Sequence, residues 1–124
     1  MEHPREYRYS TAHCWVHVVG ESARVGVCPG LVAQGAVSDV TLPRLGALVR
    51  GGDSVASVVI FDKSIEIHSP VAGSVVFVNE RLLEEPSLVG DDPFVSGWLF
   101  EVQLSYDETL EGVMDVDSYL RIDN

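Results

Sequence analysis

Lysine is almost missing from this chain. Its 124 residues include one, Lys63, against seven arginines, although lysine is ordinarily among the commonest residues. Chemistry that needs a side-chain primary amine is confined to that position. Cysteine is nearly as scarce, with Cys14 and Cys28 alone. Two are too few for a disulfide framework, and both are expected as reduced, unbridged thiols. His13, Cys14, His17 and Cys28 supply metal-ligand types, but the paired C-x2-C spacing of zinc sites is absent, so no metal site is expected. No apolar run approaches the roughly 20 residues that span a bilayer. The opening Met-Glu-His-Pro-Arg-Glu lacks the apolar stretch of a secretion signal, and the expected compartment is the cytoplasm. Ser10 and Ser69 have neither an oriented base nor a nucleophile-elbow motif, so a hydrolase is not indicated.

Positive charge is also in short supply. Lysine and arginine total 8 against 19 aspartates and glutamates, a formal net charge of -11. Such a chain repels phosphate backbones and anionic lipid, which makes nucleic acid and membranes poor partners. It suits soluble partners with basic entrances. Hydrophobic residues make up 46%, enough for a core. The length fits one domain over residues 1–124.

The apolar pattern has the period of strands. Ala23 to Cys28 alternates and is broken at Pro29-Gly30, with a short helical turn over Leu31 to Gln34. Val37 to Leu42 reads as a strand ending at Pro43. Leu45 to Val49 reads as a connector and Gly51-Gly52-Asp53 as a turn. Ser54 to Phe61 is rich in β-branched residues and is expected to be a buried strand. The polar Asp62-Lys63-Ser64 interrupts it, and Ile65 to His68 alternates again. Strand, short polar turn and strand predict a β-hairpin with Lys63 at or beside its tip. Ser74 to Val78 is a further strand, and Glu80 to Glu84 a helical turn. Gly97 to Leu104 is expected as the last strand, and Asp107 to Leu120 has a loose helical spacing. The expected class is all-β, a sandwich or barrel with short peripheral helices.

Several segments resemble, in order and spacing, the glycine cleavage H-protein family. Tyr9 to Trp15 is similar to its Tyr-Thr…His-Glu-Trp opening, with Cys14 in place of the glutamate. Arg24-Val25-Gly26-Val27 resembles its Val-Gly-Ile-Thr strand. Gly35 to Pro43 resembles Gly-Asp-Val-x-x-Val-x-Leu-Pro, with Ala36 for the aspartate. Ser69-Pro70-Val71-Ala72-Gly73 and Val78-Asn79 resemble Ser-Pro-Val-x-Gly…Val-Asn. Glu85-Pro86, Leu88-Val89, Asp92-Pro93-Phe94 and Gly97-Trp98-Leu99 continue the match. The resemblance implies a sandwich of two antiparallel sheets, of the kind shared by lipoyl and biotinyl domains. It also implies a covalent lipoate on one hairpin lysine, and a monomeric carrier without turnover of its own. Its implied partners are glycine decarboxylase, aminomethyltransferase, dihydrolipoyl dehydrogenase and lipoylating enzymes. A dithiolane on a flexible lysine stem suits the task, because tethering raises its effective concentration at each partner's site.

The sequence departs from the family at the hairpin. The family motif there is Glu-Ser-x-Lys. Counted back from Ser69-Pro70 without a gap, its lysine position is held by Asp62, with Lys63 one place later. Val59 and Ile60 stand where the glutamate and serine would be. Lys63 is therefore the candidate attachment site, set against a degenerate, unmodified binding module or a carrier recruited to another pathway. Trp15 and Trp98 are expected as buried or partly buried anchors, His68 as a packing aromatic, Asp91-Asp92 as a turn, and Glu66 as a neighbour of the arm.

Overall fold

The computed structural model describes residues 7–10, 13–32, 36–104 and 113–114, with backbone alone for 31, 32, 113 and 114. Among the described residues ten strands form two antiparallel sheets. They are β1 (Arg8–Ser10), β2 (Cys14–Val19), β3 (Ser22–Val27), β4 (Val37–Thr41), β5 (Leu48–Val49), β6 (Ser54–Ile60), β7 (Lys63–His68), β8 (Gly73–Val78), β9 (Phe100–Leu104) and β10 (Val113–Met114). Seven make one sheet in the order β10-β1-β2-β3-β9-β8-β5, and three make the other, β4-β6-β7. Among the described residues three single-turn helices, α1 (Pro29–Val32), α2 (Arg81–Glu84) and α3 (Leu88–Asp91), lie between strands.

Period-two alternation builds the core. From the large sheet, Cys14, Val16, Val25, Val75, Phe100 and Val102 are buried in one cluster with Val40, Ala56, Val58, Ile60 and Ile67 from the small sheet. Trp15 lies between Cys14 and Val16, so its side chain takes the opposite face. There it is fully buried with Tyr9, Cys28 and Phe94 in a second cluster, against which Tyr7 and Trp98 pack. Gly26 is the cross-strand partner of Trp15. A Cβ at Gly26 would run into the indole, which explains why a glycine interrupts the Val25 to Val27 strand.

Most expected elements are present, with several corrections. The segment read as a connector contains β5, because Leu48 and Val49 pair with Ser74 and Gly73 at the sheet edge. The strand from Ser54 is buried on one face only, and it stops at Ile60 instead of Phe61. Residues 97–99 are not in β9: Gly97 N–H donates to the Asp92 carbonyl at 2.7 Å and holds this stretch in a loop. Asp91 ends α3 instead of standing in a turn. Nor is β9 the last strand, since Val113 and Met114 pair with Ser10 and Tyr9. These two residues were expected in a helix, and the rest of that expectation lies outside the described residues.

Candidate functional site

The hairpin of β6 and β7 carries the only lysine. Val58 faces Ile65 and Ala56 faces Ile67 across it, and Ile60 faces Lys63 as the closing pair. The connecting turn is therefore Phe61-Asp62, two residues long. Lys63 and Ser64, expected in the turn, are the first residues of β7. The shift follows from register: burying Val58 and Ile67 on one face fixes which residues can stand opposite each other. Both turn residues have positive φ, 52° at Phe61 and 64° at Asp62, as a type I′ turn requires. Aspartate tolerates this conformation, but phenylalanine does so only with strain, on the order of 1–2 kcal/mol for a residue with a Cβ.

Asp62, the register position of the family lysine, is thus at the apex, and Lys63 begins the returning strand. Directly opposed side chains share a face, so Lys63 leaves the sheet on the side of Ile60, Ile65 and Ile67, beyond the edge of the core. Its side chain is exposed and has neither a hydrogen bond nor an ion pair among the described residues. An amine so placed has free rotation about its stem and open access for an acylating enzyme.

The base of the hairpin is held tightly. Ser69 N–H donates to the Asp53 carbonyl at 2.8 Å, and Gly52 N–H donates to the Ser69 carbonyl at 2.7 Å. The buried Ser69 hydroxyl donates to the Val71 carbonyl at 2.6 Å and accepts from Val71 N–H at 3.3 Å. Both its roles are structural. His68, expected as a packing aromatic, is partly exposed, and its Nδ1 lies 3.0 Å from the Gly52 carbonyl oxygen. A carbonyl only accepts, so Nδ1 carries the proton in this bond. His68 Nε2 is 4.0 Å from Glu66 Oε2, on the outward face of β7.

The other residues singled out from the sequence also hold the frame. Asn79 Nδ2 donates to the carbonyls of Ser96 at 2.8 Å and Trp98 at 2.9 Å. Asp92 Oδ2 accepts from Ser96 N–H at 3.1 Å. Trp15 Nε1 donates to the Pro93 carbonyl at 2.9 Å. The Arg24 guanidinium lies 4.4 Å from the centre of the Trp98 ring and pairs with Glu101 at 3.5 Å. Gly73 sits where a Cβ would strike the Gln103 carbonyl oxygen, and any side chain there would push β8 from β9. The Ser10 hydroxyl accepts from Cys14 N–H at 3.2 Å.

Neither cysteine is in a disulfide. Burial pushes the Cys14 thiol up to about 12, against a small opposing effect of its hydrogen bond with Ser10. It stays protonated and unreactive near neutrality. His17 stacks on Tyr7 with 4.3 Å between ring centres. Among the described residues no three His, Cys, Asp or Glu side chains converge as metal ligands would.

Phe61 was not marked out by the sequence reading. The signal was present: pairing the apolar positions 58 with 65 and 56 with 67 sets a register that leaves 61 and 62 as the loop. Reading the polar run as the turn obscured it.

A family model described as glycine cleavage H-protein matches residues 7–123. The chain is 39% identical over 121 residues to the glycine cleavage system H protein of Alcanivorax borkumensis, covering 95% of this chain and 93% of that one. It is 35% identical over 113 residues to that of Thermotoga maritima, covering 90% and 91%. A crystal structure of a glycine cleavage system H protein from Mycobacterium marinum superposes with a TM-score of 0.89 at 24% identity, over 98% of each chain.

Proposed function

The chain belongs to the glycine cleavage H-protein family, whose members carry covalently attached lipoate, and we propose that Lys63 is where this chain holds it. The observation that carries the reading is the single lysine, exposed and without polar partners beside the tip of a hairpin whose base is firmly bonded. A lipoyl group supplies disulfide redox and group-transfer chemistry when bound. The residues present fit it: an open tip gives the arm room, and the buried sandwich keeps its root fixed. Ser69, His68 and Asp53 hold the root of the hairpin, so that motion is confined to the lysine stem and whatever extends it.

In this reading one monomeric domain over residues 1–124 presents the arm in turn to glycine decarboxylase, an aminomethyltransferase and dihydrolipoyl dehydrogenase. It turns over no substrate itself. The net charge of -11 steers it toward positively charged active-site entrances. Among the described residues no helix is long and apolar enough to cross a membrane, and we place the protein in the cytoplasm.

A second reading has its own observation. Asp62 occupies the family's lysine position and the turn lacks the acidic lead-in, as in a degenerate module that binds partners without an arm. Incubation of the full chain with a lipoate ligase, lipoate and ATP, followed by intact-mass measurement, separates the two. An increment of one lipoyl group on the wild type, absent from Lys63→Arg, supports the arm. No increment on the wild type supports the degenerate module, and an increment on Lys63→Arg places the group elsewhere.

A further inference from the structure

Phe61 combines two features that a hairpin turn does not need. It is a large aromatic left 71% exposed, and it holds positive φ at the first position of the turn. Asparagine or glycine enters that conformation more readily and leaves no apolar surface in water. Asp62 beside it is exposed as well, and Lys63 follows directly. An exposed aromatic on a short, closed turn is a low-entropy anchor of the kind that dominates protein interfaces.

We propose that Phe61 determines the specificity of modification at Lys63. The lipoate-attaching enzyme receives its ring in an apolar recess beside the acyl-transfer site, with a cationic group facing Asp62. The inference rests on the reading of Lys63 as the arm site. Because Phe61 and Asp62 form the apex and Lys63 stands one residue behind, an enzyme closing over the tip must accommodate the ring in order to reach the amine. In the reaction, Lys63 Nζ loses a proton to solvent and attacks the carbonyl carbon of lipoyl-adenylate. The amide C–N bond forms, the acyl–phosphate bond breaks and AMP leaves, with no change of oxidation state.

The test measures initial rates of lipoylation against concentration of the full chain, by intact mass, with a lipoate ligase, lipoate and ATP. The variants are Phe61→Asn and Phe61→Tyr, and the thermal midpoint of each is recorded. Phe61→Asn is expected to raise KM for the carrier about tenfold or more, the scale of a lost interface anchor. Its midpoint should stay unchanged or rise, because asparagine suits the turn. Phe61→Tyr should keep the wild-type KM. Equal kcat/KM for wild type and Phe61→Asn overturns the proposal while leaving Lys63 as the arm site. Loss of modification only in step with a fall in midpoint, in both variants, also overturns it. An unmodified wild type overturns the arm reading and this inference together.

Discussion

The hairpin tip and the corner around Trp15 and Asn79 are built on opposite terms. At the corner every polar group singled out from the sequence has a partner: Trp15 bonds Pro93, Asn79 bonds Ser96 and Trp98, and Asp92 bonds Ser96. Trp15 is fully buried. At the tip Phe61, Asp62 and Lys63 are exposed, and the turn is strained. The segments that carry the family resemblance, Ser69 to Gly73, Val78-Asn79 and Asp92 to Trp98, are nearly all of the first kind. They identify the family because they hold its frame, and the proposed chemistry rests on the region where the resemblance is weakest.

That contrast predicts a gradient of sensitivity. The largest loss is expected at the corner. Trp15→Ala removes a filled volume and leaves the Pro93 carbonyl unpaired, and should cost about 3–5 kcal/mol in chemical denaturation. A cost below about 1 kcal/mol would mean that the second cluster is not an independent support.

Asn79→Ala is next. It leaves two carbonyls without their donor in a mostly buried site, and about 1–3 kcal/mol is expected. Hydrogen exchange should show residues 96–99 loosening while β6 and β7 keep their protection. Loosening of the hairpin as well would break the separation drawn between the two regions.

Cys14 gives an effect confined to alkaline pH. Its thiol titrates near 9.0 in the unfolded chain and at about 12 when folded. Between those values the folded state holds the proton that the unfolded state releases. The contribution is therefore fully present below pH 9 and is lost as pH rises toward 12, by at most about 1.4 kcal/mol per pH unit. Stability against pH for the wild type and Cys14→Ala should run parallel below that range, and the wild-type curve should fall relative to the variant within it. Curves that stay parallel up to pH 12 would show that the buried thiol is not the cause.

The smallest effect on stability is expected at the tip. Lys63→Arg touches no bonded or buried group and should change stability by less than about 0.5 kcal/mol, whatever it does to acylation. A large loss would show that the lysine stem is part of the packing.

The match between motif and frame also explains what could be read in advance. Alternation gave β3 and β7 and β-branched content gave β6, whereas the pairing of Cys14 with Val27 lay outside that reading because β2 has apolar residues on both faces. The inner face meets the main core and the outer face meets the second cluster, so no alternation survives. Likewise, the indole N–H of Trp15 finds its partner at Pro93, 78 residues away, which no local window contains.

From the sequence alone came the all-β class, a hairpin over residues 54–68, the sole lysine amine at Lys63, and thiols too few to staple the chain. These follow from composition and from short-range periodicity, which act within a few residues. Tertiary structure alone decided that the turn is Phe61-Asp62, that Lys63 belongs to the strand and shares a face with Ile60, and that a phenylalanine is held strained at the apex. The reason is register. Which residues stand opposite is settled by the burial of Val58, Ile65 and Ile67 against the second sheet, and a shift of one place would have turned each of those side chains to the other face.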